Sequence, residues 1–266
     1  MSELASGPLV LTDALRFEWV RIRTLRSTYW LVGAAVLLNA VLALVAAYGT
    51  QDRPPAPAFV GAILTGGGPF VPIPLAAVCL AAIGVFATGH EYRYGTIQPA
   101  LTALPRRSAL LAAKLVVPAA VTLVVAAVSM AVNAAVALAV WGELPGLTSW
   151  PVDEAMPGYL VLGVLWTVLG TALAQVFRGV PSALVLLLVV PLVVEQLMAQ
   201  LSYVDQFAWL GPALKFLPFM AGQHLLDLGG TSDVDLFGRW ASGGVFAVFV
   251  AVVVGAAWTT FTRRDA

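Results

Sequence analysis

The composition of the 266-residue chain is unlike that of a water-soluble protein. The chain is 60% hydrophobic and 11% charged, whereas soluble domains carry about 25% charged residues. The apolar residues come in long blocks, so the sequence predicts that lipid is the solvent for most of the surface. The formal net charge is zero and by itself indicates no class of partner. For a chain of this membrane class we expect the lipid bilayer, and no nucleic acid, as a partner.

The first predicted element is an amphipathic helix within residues 1–27. One stripe of its helical wheel carries the apolar residues Leu11, Ala14, Leu15, Trp19, Ile22 and Leu25. Glu18 interrupts the stripe and precedes Arg21 by three residues, a spacing that allows a helical ion pair. Arg16 and Arg23 lie opposite, where they can face anionic headgroups at the inner membrane interface. The pattern indicates a membrane anchor and topology signal, and the alternative adds contact with a cytoplasmic partner.

Six later stretches are long and apolar enough to cross a bilayer, which takes about 20 helical residues. They are Thr28–Tyr48, Val71–Thr88, Leu115–Val140, Gly158–Phe177, Pro181–Leu201 and Ala241–Phe261. The third is expected to begin near Ala109, with Lys114 snorkelling to the interface. The sequence therefore predicts an all-α integral membrane protein, with six transmembrane helices in residues 28–266.

The distribution of Lys and Arg predicts the orientation of these helices. With six spans, one side of the membrane holds all but three of the 14 basic residues. The exceptions are Arg53, Lys215 and Arg239. Because basic residues accumulate on the cytoplasmic side, both termini are predicted to be cytoplasmic. The predominance of Arg over Lys is typical of GC-rich bacterial genomes, so a bacterial inner membrane is the expected location.

The cytoplasmic loop over residues 89–108 predicts a short helix near 96–104. Thr96 can act as its N-cap, and Pro105 ends it. Charged residues flank this helix: Glu91, Arg93, Arg106 and Arg107. A simple link between two spans needs only a few polar residues, so a capped, partly apolar helix suggests a docking element. The alternative is a basic loop that serves only to set topology.

Glu195 is an ionisable residue within the fifth apolar stretch. A charge at this depth costs roughly 2.5–3.5 kcal/mol on the insertion scale, so we expect it to face the protein interior or a cavity. Gln196 or Asn133 is expected nearby. Glu195 would then bind a cation, relay a proton or line a pathway, or it would serve as a hydrogen-bonded link between helices.

The external connection over residues 202–239 is aromatic and apolar rather than simply polar, which predicts an interfacial or partly re-entrant segment. Gly211-Pro212 and Pro218 divide it into short helices. The sequence contains no G-x-x-x-x-G-K-[ST] motif, so this chain is not expected to bind ATP through a P-loop. We expect neither catalysis nor a cofactor on this chain.

Three segments resemble type-2 ABC transporter permeases, particularly actinobacterial ones. Glu91–Ile97, followed by Pro105–Ser108 and Lys114, is similar to their stretch between the second and third spans. Glu18–Ser27 is similar to their N-terminal connecting helix, and Leu217–Gly222 to the run before their last span.

This resemblance implies the membrane subunit of an exporter, which pairs with a second copy or a related permease. Two copies of a soluble ATPase would bind ATP and Mg and contact the coupling helix near 96–104. The implied coupling residues are Glu91, Arg93, Gly95, Thr96, Ile97, Leu101, Arg106 and Arg107. The implied connecting-helix residues are Glu18, Arg21, Arg23 and Arg26. The external segment would close the outward gate.

The alternative is an ion-coupled secondary transporter or channel that uses Glu195, with Asn133 as a second pathway candidate.

Overall fold

The computed structural model describes residues 8–52, 56–66, 75–103, 106–229 and 237–263. Regular secondary structure in these ranges is helical throughout. The α-helices are α1 (Pro8–Thr24), α2 (Arg26–Gly49), α3 (Pro57–Leu64), α4 (Leu75–Tyr94), α5 (Ile97–Ala103), α6 (Arg107–Trp141), α7 (Val152–Phe177), α8 (Val180–Val189), α9 (Gln196–Leu201), α10 (Gly211–Leu214), α11 (Pro218–Gln223) and α12 (Arg239–Arg263).

Within the described residues, five helical segments are long and apolar enough to cross a membrane. They are Arg26–Gly49, Arg107–Trp141, Val152–Phe177, Val180–Leu201 and Arg239–Arg263. By length and composition these are the helices of a multi-pass α-helical membrane protein, which confirms the predicted class. The count of six spans stays a prediction. The start of the second predicted span, residues 71–74, lies outside the described residues, and α4 covers the rest of it.

The short helix α3 lies in the connection between the first and second predicted spans. Pro57 begins the helix, and every residue from Val60 to Leu64 is buried. The buried carbonyl groups at its end need partners, because water is scarce among apolar helices. Asn133 of α6 supplies them, since its Nδ2 donates to the carbonyls of Ile63 at 3.0 Å and Leu64 at 3.3 Å. The apolar run 58–64 was the signal in the sequence for this helix.

The fifth apolar stretch is one continuous helical segment with a π-helical turn in its middle. The turn covers Val190–Glu195, between α8 and α9. Pro191 lies near the start of this turn. Because proline has no N–H to donate and its ring crowds the preceding turn, it disfavours regular α-helical bonding at this point. We attribute the wider turn to this residue.

The external connection contains short helical pieces between its Gly and Pro residues. A 3₁₀ turn over Asp205–Leu210 precedes α10, and a second over His224–Leu226 follows α11. Residues 230–236, which also belong to the predicted external segment, lie outside the described residues.

Helix α7 is the centre of the described bundle. In its apolar 18-residue stretch, 61% of the residues are buried, whereas 22–33% are buried in the corresponding stretches of the other four candidate spans. Its most extensive contact is with α4, where a Cβ atom on Gly84 would lie 2.3 Å from the Thr167 carbonyl oxygen. The Thr167 hydroxyl donates to the Leu80 carbonyl at 3.1 Å. Small residues let the two backbones approach and bond in this way, as is common between membrane helices.

Replacing Gly84 with alanine should therefore separate α4 from α7. The nearest neighbour of the new methyl group would be a backbone oxygen, which has no rotamer with which to move aside. We expect a loss of roughly 1–3 kcal/mol, typical of overpacking, seen as an apparent Tm several degrees lower in detergent. Gly255→Ala in α12 is the matched control, because its Cβ would meet no atom within 4 Å. Equal Tm values for the two variants would contradict this account of the contact.

Candidate functional site

Helix α1 packs against α6, and this contact divides the predicted apolar stripe. Ala14 and Ile22 are buried against the bundle, while Leu11 and Trp19 are 42% and 46% exposed. Glu18, predicted to interrupt the stripe, is fully buried at the centre of the packed face. A buried carboxylate among apolar helices needs compensating charge, and the structure shows where that charge comes from.

Four charged side chains from three helices meet at this point, and we call them the charge cluster: Glu18 and Arg21 of α1, Glu91 of α4 and Lys114 of α6. Lys114 Nζ lies 2.9 Å from Glu18 Oε1 and 2.6 Å from Glu91 Oε2. Arg21 pairs with Glu18 at 2.5 Å and also with Glu91. Each cation thus contacts both carboxylates.

The charge cluster is formally neutral and nearly closed to solvent. Glu18 and Lys114 are fully buried, Glu91 is 3% exposed, and Arg21 retains 17% of its side-chain exposure. The expected snorkelling of Lys114 is therefore wrong: the ammonium group points to two carboxylates instead of the interface. Buried charges are tolerated only with such partners, since removal of one partner leaves an uncompensated charge.

The backbone of Glu91 connects the charge cluster to α5. The N–H of Thr96 donates to the Glu91 carbonyl at 2.9 Å, and the Thr96 carbonyl accepts from the N–H of Ala100 at 3.3 Å. Gly95 between them has φ +69°, a conformation that L side chains rarely adopt. Thr96 therefore occupies the N-cap position predicted for it, and the start of α5 is bonded directly to the residue whose side chain enters the charge cluster.

Helix α5 has one packed face and one open face. Ile97 and Ala100 pack with Leu110, Leu111 and Phe261, and Leu101 lies at the edge of this group. The exposed residues of this helix and two exposed residues just before it form an open face, which we call the α5 surface: Tyr94, Thr96, Gln98, Pro99 and Thr102. Pro99 falls in the first helical turn, where a missing N–H breaks no intrahelical bond. Leu104 and Pro105, predicted to end the helix, lie outside the described residues.

The remaining coupling candidates do not join the charge cluster. Arg93 and Arg106 are exposed near α5, and Arg107 donates to the Phe261 carbonyl at 3.4 Å in the last turn of α12. On α1, Arg23 lies over the Trp19 ring, 5.6 Å from its centroid, and Arg26 is exposed at the start of α2.

Sequence reasoning assigned no site role to Tyr92, which links α4 to α7. The Gln175 amide donates to its hydroxyl, and the Arg178 guanidinium lies 6.0 Å from its ring centroid. Tyr92 and Gln175 are 83 positions apart, so nothing local in the sequence pairs them.

Glu195 and Asn133 lie in separate contacts. Glu195 is 2% exposed and accepts hydrogen bonds from the backbone N–H of Phe219 at 3.0 Å and of Met220 at 2.6 Å. Asn133 holds the end of α3, as described above. The hydrogen-bond partners of the Glu195 carboxylate are thus in α11. They are not Gln196 or Asn133, the residues expected nearby.

Arg239 joins the starts of α7 and α12 near the external segment. Its Nε lies 3.3 Å from Glu154 Oε2, and its guanidinium also donates to the carbonyls of Pro151 and Asp227. Burial lowers the pKa of nearby His224 below its ordinary value, although the Asp227 carboxylate acts in the opposite direction.

A scan against protein-family models finds no match, and a search of curated proteins finds none at a significant level. In the part of the chain that the structure describes, no group of three His, Cys, Asp or Glu side chains is placed to hold a metal ion. The geometry around α1, α4, α5 and α6 is therefore the main basis for a functional proposal.

Removing one cation should show how strongly the stability of the protein depends on balanced charge in the charge cluster. Lys114→Met leaves two buried carboxylates with Arg21 alone, and we expect a loss of about 3–5 kcal/mol, measured as a lower apparent Tm in detergent. Adding Glu18→Gln restores the charge balance and should recover much of that loss in a double-mutant cycle.

Lys215→Met is the control for this experiment, since Lys215 lies in the external segment over the rings of Phe216 and Phe237. It should change the Tm far less than Lys114→Met. Strictly additive effects of Lys114→Met and Glu18→Gln would show that the two charges do not interact.

Proposed function

We propose that this chain is the permease subunit of an ATP-driven ABC exporter, with the ATPase on a separate chain. The observation that carries the proposal is the charge cluster next to α5. One residue, Glu91, is bonded through its backbone to α5 and through its side chain to α1 and α6. A docking helix connected in this way can transmit movement into the membrane helices.

The proposed transmission proceeds from the α5 surface inward. An ATPase subunit docks on the exposed residues of α5, and its nucleotide-driven movement shifts α5 and the Glu91 backbone. Because Glu91 contacts Arg21 and Lys114 together, α1 and α6 follow the shift. Nucleotide binding can favour an inward- or outward-facing state only if the ATPase contacts differ between those states.

The proposed assembly has two permease chains, either identical or related, and two ATPase subunits that bind ATP and Mg. It lies in a bacterial inner membrane with both termini cytoplasmic. The proposed substrate is hydrophobic or amphiphilic, in the class of drugs, peptides or lipid-like compounds, because the chain has few charges with which to bind an ionic one.

The alternative is an ion-coupled transporter or channel that uses Glu195. The contacts of Glu195 weigh against it, since both carboxylate oxygens accept backbone N–H bonds and a cation would face the same positive N–H dipoles. Secondary transporters also commonly have internal repeats, and we see none in this sequence.

The test is purification of the tagged chain from its native membranes in mild detergent, with identification of the proteins that accompany it. The proposal predicts a P-loop ATPase in about equal amount. A variant with Tyr94→Ala, Gln98→Ala and Thr102→Ala should retain roughly a tenth of it. A tenfold weaker interaction corresponds to about 1.4 kcal/mol, which the loss of one well-packed contact among the three can supply. These side chains are exposed, so the variant should keep the wild-type Tm.

Tyr203→Ala with Trp209→Ala is the matched control, because both residues are exposed aromatic residues of the external segment. This variant should retain the ATPase. A purified chain with no ATPase, or equal loss of the ATPase from both variants, would reject the proposal.

A further inference from the structure

The N-terminus of α11 is capped by a residue from another helix. In an ordinary cap, the residue before the helix accepts a hydrogen bond from the second or third helical N–H. Leu217 holds that position here and has no side-chain oxygen to offer. Glu195 takes its place from 24 positions away, accepting from Phe219 and, one residue further on, from Met220. A carboxylate at this end also suits the helix dipole.

The direction of the Glu195 side chain depends on the π-helical turn. Glu195 is the last residue of that turn. A π turn holds one residue more than an α turn, and each residue of an α-helix turns the chain by about 100°. If the same sequence became regular α-helix, the residues after the turn would therefore rotate by about 100° relative to α8. That rotation would carry the carboxylate away from Phe219 and Met220.

The capped helix is anchored on its other side by the aromatic core. The ring of Phe219 is fully buried and packs against Trp166 of α7 at 5.6 Å and Phe246 of α12 at 5.8 Å between centroids. Close behind α11, a Cβ atom on Gly158 of α7 would lie 2.1 Å from the Leu225 carbonyl oxygen. The bonds from Glu195 thus connect the fifth apolar segment to an element that α7 and α12 hold.

We propose that Glu195 and the π-helical turn over Val190–Glu195 form a conformational latch for the external segment. The latch is closed while the turn is π-helical and Glu195 caps α11. It opens when the turn becomes α-helical and the carboxylate rotates away, which frees the start of α11. This inference rests on contacts of the fifth segment, α11, α7 and α12, and is independent of the exporter proposal.

Hydrogen–deuterium exchange of the full chain in lipid nanodiscs tests the latch directly. Glu195→Gln removes the charge and leaves one acceptor oxygen for two N–H groups. We expect peptides that cover residues 217–226 to exchange about tenfold faster, with α7 peptides unchanged. Val194→Ala is the control, since Val194 is a 44% exposed neighbour in the same turn; it should exchange like the wild type.

Pro191→Ala tests the π turn while leaving Glu195 intact. The new N–H can bond to the Leu187 carbonyl, as in an α-helix, so protection of residues 217–226 should fall as it does in Glu195→Gln. Wild-type protection in Glu195→Gln would overturn the latch altogether. Lost protection in Glu195→Gln with wild-type protection in Pro191→Ala would overturn the role of the π turn.

Discussion

Charged groups buried among apolar helices must be compensated locally, because no water is present to solvate them. The charge cluster meets this requirement with two carboxylates and two cations from α1, α4 and α6. The position of α1 against the bundle depends on it, since Glu18 lies at the centre of the packed face of that helix. The same requirement places Lys114 inward. It also holds the end of α4, which carries Glu91 and leads into α5, against α1 and α6.

Backbone groups obey the same constraint as charges. Short helices buried in a membrane protein expose unpaired N–H groups at one end and carbonyls at the other. The long helices satisfy them with side chains: Asn133 of α6 bonds the carbonyl end of α3, and Glu195 bonds the N–H end of α11. These two polar residues, both candidates for a transport pathway by sequence, thus have structural partners in helices that sequence alone would not pair with them.

The charge cluster and the α11 cap lie in different parts of the bundle, and α7 packs against helices that contribute to both. Helix α7 contacts α4, which carries Glu91, and the ring of Phe219 through Trp166. In the proposed exporter, this central helix is the physical route by which a shift of α4 reaches the external segment. Its close contact at Gly84 makes that route stiff, because the nearest atom across the contact is a backbone oxygen that has no rotamer with which to move aside.

The sequence by itself determined the membrane class and most helix positions, because span length and apolar composition are local properties that lipid selects directly. It also located the short helix α5 from a cap residue and flanking charges, and it singled out Glu18, Arg21, Glu91 and Glu195. Only the tertiary structure decided which of these residues meet. Lys114 is 96 positions from Glu18, and Arg21 is 70 from Glu91, so their pairing depends on how α1, α4 and α6 pack. The contact of α3 with Asn133 and the π turn likewise depend on packing and backbone bonding that the residue pattern did not reveal.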